Sequence, residues 1–451
     1  MLPFPLSIFR KGAAESPERR QQLACKVIDN SNGVCYIFIR TGDHADEKEE
    51  TMEIKGRYAT AVCYAKEIDE AAESQIRTMC DQAFTEGCRV RIMPDVHAGK
   101  GCTIGTTMTI RGKAVPNVVG VDIGCDMYTT KLGNRQADLV RLDAACRRIP
   151  GGMNVWDAPR EPFDLEQLRC CQHLSSRPWL QNSLGTLGGG NHFIEIDRSE
   201  DGTLWLVIHS GSRNLGKQVC EYYQHLAVEL AEGKESFRAA APALAARLMA
   251  EGRQKEIQKE LKALRQRLKH RTVPDSLCWL EGKHLEDYLH DVKVCQAFAV
   301  RNREIMAEII LEETGLTGLE GFHTVHNYID TDEMILRKGA IAAHKGERVL
   351  IPINMRDGSI LAIGRGSMEW NYSAPHGAGR VMSRKAARDT LSLEEYKRAM
   401  KGIYTTTVSR ETIDEAPMAY KRMEDILDAV REAVDIVEII RPVYNFKAAE
   451  K

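Results

Sequence analysis

The sequence predicts an α+β protein, because candidate strands and helices come in separate blocks and not in regular βαβ alternation. The 451 residues are 43% hydrophobic and 28% charged, which argues against disordered, collagen-like and coiled-coil classes. The 62 Lys and Arg residues nearly balance the 64 Asp and Glu residues, so the formal net charge is −2. Any contact with nucleic acid would therefore have to be a local basic patch.

Cysteine usage and apolar runs indicate the compartment of the protein. The longest uncharged run, 178–194, is rich in Gly, Asn and Gln, a composition that does not suit hydrocarbon. The N-terminal segment places its charges after an apolar run, which is the reverse of a secretory signal. The 13 cysteines are scattered and form no C-x-x-C pair, as is typical of reduced thiols. The sequence predicts a soluble, intracellular protein.

Apolar periodicity predicts the elements along the chain. Apolar residues at helical spacing predict helices that begin near Ile68 and that cover 219–313, 380–391 and 419–436. Short apolar runs predict strands at 33–41, 89–93, 203–210, 348–353, 359–363 and 437–446. The basic helix at 253–271 is interpreted as a solvated amphipathic face in preference to an RNA contact.

Histidines indicate where chemistry is expected. Five of the 13 histidines stand beside Gly, Asn, Ser or Pro in turn-like contexts: His97, His192, His209, His326 and His376. Loops on a rigid scaffold carry a large share of ligands and catalytic groups, and glycine lets the backbone approach a ligand closely. These histidines are therefore candidates for a functional site.

A metal site is predicted from Asp122 and Cys125, on a turn that follows an apolar strand. With His192, His209 and His326 they would supply five ligands, enough for two ions if the thiolate bridges them. Softness alone favours zinc or iron over manganese for this set. The alternative is that Asp122 caps the turn, Cys125 is a small buried residue and the histidines bond loop backbone.

The glycine-rich segment 185–196 has the sequence GTLGGGNHFIEI. Consecutive glycines suit a loop that presents backbone N–H groups to phosphate. The segment matches neither a Walker A loop nor a Rossmann fingerprint, and a tight bend would explain it as well. By itself it predicts no particular nucleotide.

Eight segments, taken in order, are similar to those of the RtcB family of GTP-dependent RNA ligases. They are MPDVHAGKG, VGVDIGCDM, GTLGGGNHFIEI, HSGSRNLG, HNY, RKGA, HGAGRVMSR and DEAPMAYK. The resemblance implies one large catalytic domain over 54–447, with central β-sheets flanked by helices and a helical insertion at about 217–315. Residues 1–53 would form an N-terminal extension and 448–451 a C-terminal tail.

The resemblance also implies an activity. A cytoplasmic enzyme with two Mn²⁺ ions would join an RNA 3′-phosphate, or a 2′,3′-cyclic phosphate after opening, to an RNA 5′-hydroxyl. Such a reaction serves RNA repair, RNA splicing and tRNA processing. GTP would be the co-substrate: a histidine attacks its α-phosphorus, and RNA(3′)pp(5′)G is the second intermediate. RNA ends and GTP are the expected partners, and a membrane is not.

The same resemblance implies residue roles. The metal ligands would be Asp122, Cys125, His192, His209 and His326, with Cys125 as the bridge. His376 would be guanylylated, and Asp95 would be a catalytic carboxylate of the later steps. The guanylate-binding residues would be Asn191, Glu195, Asn327, Pro352, Asn354, Met355, Ser359, Gly377, Ala378, Gly379 and Lys447. Arg213 and Arg380 are candidates for RNA phosphate, with bracing of backbone carbonyls as the alternative.

Four positions depart from the family pattern. Ile353 and Asn354 replace a glycine and a serine near the guanylate, Pro375 replaces Ser or Cys before the nucleophile, and Asn214 replaces a glycine. Because the ligands and the nucleophile are complete, we expect an active enzyme of a divergent subgroup.

Two other functions compete with this expectation. The departures at 353 and 354 leave a metal-dependent RNA-end phosphodiesterase or hydrolase, acting without guanylylation, as the alternative. A non-enzymatic RNA-binding module is less favoured, since such a protein should have lost a ligand or His376.

Overall fold

The computed structural model describes residues 51–99, 101–268 and 273–447. The described residues belong to one compact unit that begins at Thr51. The predicted strand at 33–41, nearly all of the N-terminal extension and the C-terminal tail lie outside them. The domain bounds inferred from the sequence therefore stay predictions.

Seventeen strands lie within the described residues and are numbered in chain order. They are β1 (Met52–Lys55), β2 (Thr60–Cys63), β3 (Val90–His97), β4 (Ile104–Thr109), β5 (Lys113–Ala114), β6 (Asp126–Leu132), β7 (Phe193–Arg198), β8 (Leu204–Ser210), β9 (Leu280–Glu281), β10 (Gly318–Val325), β11 (Asn327–Asp330), β12 (Ile335–Lys338), β13 (Ala340–Ala342), β14 (Arg348–Asn354), β15 (Gly358–Gly364), β16 (Ser373–Pro375) and β17 (Val434–Lys447).

Eleven α-helices lie within the same residues. They are α1 (Glu70–Cys80), α2 (Pro116–Val119), α3 (Leu139–Arg148), α4 (Arg177–Asn182), α5 (Arg213–Ala231), α6 (Lys234–Ala250), α7 (Ile257–Leu268), α8 (Gly282–Thr314), α9 (Arg384–Thr390), α10 (Leu393–Ala399) and α11 (Met423–Ala429).

Two large sheets organise the described part of the chain. The first has six strands in the order β1-β2-β3-β4-β12-β11, with β2 and β3 parallel. The second has seven antiparallel strands in the order β10-β6-β8-β7-β17-β15-β14. Its two edge strands approach each other, because the Leu350 N–H donates to Thr324 Oγ1 at 3.1 Å. The sheet therefore curls into an incomplete barrel, and the prediction of an α+β fold is confirmed.

Helix α8 is the longest helix in the described part of the chain, and one of its faces is buried in the core. Its 33 residues span about 50 Å at 1.5 Å per residue. Its buried face includes Leu285, Tyr288, Val292, Cys295 and Phe298, which recur every three or four residues. Full burial of such apolar side chains stabilises the fold by about 1.5–3 kcal/mol each.

Element bounds differ from the predictions where local chemistry overrides periodicity. The helix predicted from Ile68 begins at Glu70, because the Asp69 side chain accepts the Ala72 N–H and caps it. The helix predicted at 380–391 begins at Arg384, where Ser383 is the cap. Within the described residues of 219–313, helices α5 to α8 form as predicted, with turns, short 3-10 segments and the short strand β9 between them.

Two predictions are wrong. A helix over 419–436 is not formed to its end, because α11 stops at Ala429 and β17 begins at Val434. The turn with Asp122 and Cys125 follows the short helix α2 and not a strand. In the described segments of the chain, no helix is both long and apolar enough to cross a membrane.

Candidate active site

One end of the seven-stranded sheet gathers four of the predicted metal ligands. Cys125 precedes β6, His192 precedes β7, His209 lies near the end of β8, and His326 lies between β10 and β11. The register of β6 and β7 against β8 brings both strand starts to the level of His209. Strand pairing therefore brings together residues that are far apart in the chain.

The side chains of these residues meet at their donor atoms. Cys125 Sγ lies 3.2 Å from His209 Nε2 and 3.6 Å from His192 Nε2. His192 Nε2 is also 3.1 Å from Asp122 Oδ2, and His209 Nε2 is 3.3 Å from His326 Nε2. Cys125 thus stands between two groups of donors, with Asp122 and His192 in one and His209 and His326 in the other.

The far ring nitrogens of His192 and His209 face backbone carbonyl oxygens, which determines the tautomers of these two rings. Nδ1 of His192 lies 2.8 Å from the Leu187 carbonyl oxygen, and Nδ1 of His209 lies 3.1 Å from that of Asn191. If both Nδ1 atoms donate, both Nε2 atoms present lone pairs to the cluster. Burial lowers the pKa of His209 and that of His326, the latter to about 3, so both rings are neutral. Neutral ring nitrogens whose lone pairs face one another suit a site for cations.

Glycine and a buried ion pair hold the turn that carries Asp122 and Cys125. A Cβ on Gly211 would lie 2.0 Å from Asp122 Oδ1, so a larger residue would displace the carboxylate. Arg303, which is fully buried, pairs with Asp126 Oδ2 at 2.7 Å and donates to the Gly124 carbonyl oxygen at 3.0 Å. Helix α8 thereby fixes the backbone on both sides of Cys125.

His376 follows β16 and lies beside this cluster. Its ring centroid is 5.2 Å from that of His326. Its Nδ1 lies 2.6 Å from Oδ2 of Asp95, a fully buried residue of β3. Gly379 has φ +72°, and a Cβ there would lie 2.7 Å from the Asp95 carbonyl oxygen, so the glycine allows this loop to close over β3. Nε2 is the ring nitrogen of His376 that does not face Asp95.

A cavity adjoins His376 and His209. Most of the residues predicted to bind guanylate line it: Asn191, Glu195, Pro352, Asn354, Met355, Gly377, Ala378, Gly379 and Lys447. Two do not line it. Asn327 accepts the Gly339 N–H with Oδ1, and Ser359 is buried in β15.

Glu195 is buried at one end of the cavity. Asn445 Nδ2 donates to Glu195 Oε1 at 2.5 Å. Burial raises the pKa of Glu195 to about 7, although the bond from Asn445 and the charge of Lys447 oppose the shift. A carboxylate that titrates near neutrality and lines a cavity is typical of a functional site.

Lys447 is held at the same end by a second buried carboxylate. Its Nζ lies 2.5 Å from Glu415 Oε2. Burial acts to raise the pKa of Glu415, but Lys447 and Arg384 outweigh burial and hold the pKa at about 2. The cavity therefore contains one firmly ionised carboxylate that is paired with cations, and one, Glu195, that is not.

Asn354 and Ile353, two of the four departures from the family pattern, both line the cavity. Asn354 Oδ1 accepts the N–H groups of Arg356 and Asp357, each at 3.0 Å, so this side chain closes its own turn between β14 and β15. Ile353 is buried in the core beneath that turn. Hydrogen bonds within the turn therefore hold Asn354, and packing in the core holds Ile353.

The two arginines predicted to contact RNA phosphate already form hydrogen bonds within the protein. Arg213 donates to Thr186 Oγ1 at 2.9 Å and to the Gly152 carbonyl oxygen at 2.7 Å. Arg380 lines the cavity and donates to the Asp414 carbonyl oxygen at 2.6 Å. These contacts match the bracing alternative, and the RNA role of both residues stays a prediction.

Sequence reasoning placed some residues wrongly and missed others. His97 and His209 lie on strands and not in turns. It did not select Arg384, Glu415, Tyr420 and Asn445, which line the cavity, or Asp126 and Arg303, which support the ligands. The segment DEAPMAYK contains Glu415 and Tyr420, and Asn445 shares a strand face with Lys447, so signals for these three were present.

Comparisons with known proteins agree with this geometry. A family model described as tRNA-splicing ligase RtcB matches residues 81–168 and 166–448. RNA-splicing ligase RtcB of Escherichia coli strain K12 is 31% identical over 399 residues, which cover 79% of this chain and 90% of that protein. tRNA-splicing ligase RtcB of Archaeoglobus fulgidus is 26% identical over 446 residues, which cover 78% and 86%.

A further relative, RNA-splicing ligase RtcB2 of an Escherichia coli strain, is 28% identical over 407 residues, which cover 84% of this chain. The family model spans most of the described residues, including the donor cluster, His376 and the cavity. The chain belongs to the RtcB family.

Proposed function

We propose that this protein is an RNA ligase that uses GTP and two Mn²⁺ ions. It joins an RNA 3′-phosphate, or a 2′,3′-cyclic phosphate after opening, to an RNA 5′-hydroxyl, in RNA repair, RNA splicing or tRNA processing in the cytoplasm. The observation that carries this proposal is His376, whose Nδ1 lies 2.6 Å from the buried Asp95 carboxylate at the cavity wall. The names of its relatives, which are RNA-splicing and tRNA-splicing ligases, support it.

The first step uses His376 as a nucleophile. Its Nδ1–H donates to Asp95, so the lone pair lies on Nε2. Nε2 attacks the α-phosphorus of GTP, a P–N bond forms, and the bond to pyrophosphate breaks. Positive charge develops on the ring as the bond forms, and the Asp95 carboxylate stabilises it. Asp95 would therefore act in this step as well as in the later ones.

The later steps transfer the guanylate and then release it. An oxygen of the RNA 3′-phosphate attacks the phosphorus on His376, and the P–N bond breaks to give RNA(3′)pp(5′)G. The 5′-hydroxyl then attacks the 3′-phosphate, a phosphodiester forms, and GMP leaves. Asp95 Oδ1 is buried and has no hydrogen-bond partner among the described residues, so it is available to accept a proton.

The donor cluster would hold two metal ions, with the Cys125 thiolate as a ligand of both. Asp122 and His192 would hold one ion with the thiolate, and His209 and His326 the other, in agreement with the distances between these groups. When bound, such ions polarise phosphoryl oxygens and neutralise developing charge. Manganese is proposed from the family, since thiolate and imidazole donors by themselves also suit zinc or iron.

Guanine recognition is assigned to Glu195. A carboxylate accepts hydrogen bonds from both N1–H and the 2-amino group of guanine, whereas adenine offers no N1–H donor. Asn445 donates one hydrogen bond to Oε1, so Oε2 and the second lone pair of Oε1 remain for the two donors of the base. Lys447 lies nearby, paired with Glu415, and completes the wall of the cavity.

Ligation of defined RNA ends tests this function. Purified protein, GTP and Mn²⁺ are incubated with an upstream RNA that ends in a 3′-phosphate, a 2′,3′-cyclic phosphate or a 3′-hydroxyl. The downstream RNA begins with a 5′-hydroxyl or a 5′-phosphate. We expect joining of the first two upstream ends to the 5′-hydroxyl, and no product with His376→Ala. Joining of a 3′-hydroxyl to a 5′-phosphate would contradict the proposal.

One observation favours a second candidate function. Ile353 and Asn354 line the cavity where the family has smaller residues, which leaves less room for a nucleotide. A metal-dependent RNA-end phosphodiesterase needs no guanylate, so it would open or remove the terminal phosphate in the absence of GTP. Omitting GTP from the same incubation separates the two: a ligase leaves the RNA unjoined, whereas the phosphodiesterase still processes the ends.

A further inference from the structure

Helix α5 begins near the candidate active site and leads to a helical hairpin at its other end. Helix α5 begins four residues after His209 and has 19 residues, a length of about 28 Å. Helices α6 and α7 follow it, and the end of α7 returns to the corner between α5 and α6. There Gly233 lies so close to Leu268 that a Cβ on the glycine would be 2.1 Å from the Leu268 carbonyl oxygen. Residues 234–268 are named the α6–α7 hairpin.

One side of α7 packs and the other faces solvent. Ile257, Leu261, Leu264 and Leu268 are half-buried and recur at helical spacing. No residue of α7 is fully buried. The apolar stripe thus holds α7 in the hairpin, and the opposite side of the helix stays exposed.

The exposed side carries four cations, spaced three or four residues apart and named the basic face. They are Lys255, which lies in the 3-10 turn before α7, and Lys259, Lys262 and Arg265 of α7, all exposed. Within the described ranges none of the four forms an ion pair with a carboxylate. The neighbouring Glu256 is paired mainly with Arg253, at 2.8 Å between Oε2 and Nη2, and also attracts Lys259, so it offsets the charge at one end of the face only.

On other exposed helices of the protein, lysines form ion pairs with carboxylates. Lys283 of α8 lies 2.8 Å from Asp287, and Lys217 of α5 lies 3.9 Å from Glu221, each one turn away. Like charges one turn apart destabilise a helix, so a face needed only for solubility is better served by mixed charges. The basic face has the opposite pattern, in a chain whose net charge is −2.

We propose that the basic face binds the phosphate backbone of the RNA substrate, away from the ends that are joined. The proposal rests on the proposed function, since it needs an RNA held at His376. Steps of three or four residues separate the lysines by about 4.5–6 Å along the helix axis, so neighbouring cations can contact successive phosphates. An RNA long enough to reach from the cavity to the hairpin binds more tightly than a short one.

Charge removal at the hairpin tests this. The triple variant Lys255→Gln/Lys259→Gln/Lys262→Gln is compared with Lys55→Gln/Lys217→Gln/Lys283→Gln, which removes the same charge from exposed, ion-paired lysines elsewhere. Equilibrium binding of RNAs of about 8 and about 40 nucleotides with 3′-phosphate ends is measured over a range of salt concentrations. Thermal unfolding of both variants checks that they fold.

We expect the hairpin variant to lose about tenfold or more in affinity for the long RNA, and its salt slope to fall by about two to three. The control variant should bind the long RNA like the wild type. An unchanged affinity and salt slope in the hairpin variant would overturn the proposal. Failure of the ligase function gives a different result, because the wild type would then not join the defined RNA ends at all.

Discussion

Cys125 lies between two groups of proposed metal ligands. This position predicts how many metal ions each variant can bind. Cys125→Ala should lose both ions, because its thiolate is the one donor that both would share. His326→Ala should lose mainly one ion, since it lies 3.3 Å from His209 on one side of the cluster. Metal content of the purified variants, measured after incubation with Mn²⁺ and desalting, checks this.

Serine at 125 serves as a matched control for size. Its hydroxyl does not ionise as readily as a thiol, so Cys125→Ser should also bind metal poorly. Two ions per chain in Cys125→Ala would show that the thiolate is not a bridge.

Glu195 makes a prediction about pH. Burial raises the pKa of its carboxyl group to about 7, and guanine needs the ionised form as acceptor. Affinity for guanosine should therefore increase as pH rises through about 7, and fall about tenfold for each unit below it. The raised pKa also means that the contribution of Glu195 to folding stability is lost as pH rises through about 7.

Guanosine is the suitable probe for this prediction, because it carries no phosphate that titrates. Glu195→Gln should bind guanosine weakly and with no pH dependence between 5 and 8 attributable to this residue. Adenosine should bind weakly at every pH. A wild type that binds both nucleosides equally would mean that this cavity does not select guanine.

Single residues were predicted where a motif surrounds them. The five donors and His376 stand in short glycine-rich or asparagine-rich segments, so each could be selected without a structure. Arg303 could not, because it lies in a long helix and meets the Gly124 carbonyl oxygen 179 residues away in the chain. Such supporting contacts depend on tertiary packing, which no local pattern encodes.

At the scale of elements, the contact between α8 and the ligand turn makes a prediction about stability. Arg303 and Asp126 are both fully buried, 2.7 Å apart. Arg303→Met should lower the free energy of unfolding by about 3–5 kcal/mol, because the buried Asp126 carboxylate loses its guanidinium and keeps only its contacts with His323 and the Thr324 N–H. Urea denaturation of the protein checks the size of this loss.

Arg301, on the same helix, offers the matched control. It pairs with Glu161 and Glu308, but those partners are partly exposed. Arg301→Met should therefore cost about 1 kcal/mol or less, as for surface ion pairs. Equal losses in the two variants would mean that the buried pair has no special role in holding the turn.

Elements were predictable where one periodicity dominates. The helices of 219–313 follow clear apolar stripes and were found. The helix predicted at 419–436 ran too far, because Val434 and Ile436 belong to β17, where pairing with β15 decides the conformation. β-Branched residues and a long-range strand partner outweighed a short helical pattern there.

At the scale of the whole molecule, separate sheets contribute to one site. The six-stranded sheet supplies Asp95 on β3, the seven-stranded sheet supplies Glu195 on β7 and His209 on β8, and the β13–β16 pair leads into His376. The α+β class followed from the order of elements, but the meeting of these sheets did not. His376, the proposed nucleophile, and Asp95, whose carboxylate it contacts, are 281 residues apart in the chain.

Covalent labelling is the most direct test of the central claim, that His376 is guanylylated. The protein is incubated with α-labelled GTP and Mn²⁺, digested with trypsin, and mapped. We expect an acid-labile, base-stable label on the peptide that contains Pro375, His376 and Gly377, and none in His376→Ala. Asp95→Asn should label the same residue about a hundredfold or more slowly, because an amide N–H facing Nδ1 favours the wrong tautomer. Label on another residue, or RNA joining by a protein that takes up no label, would contradict the account.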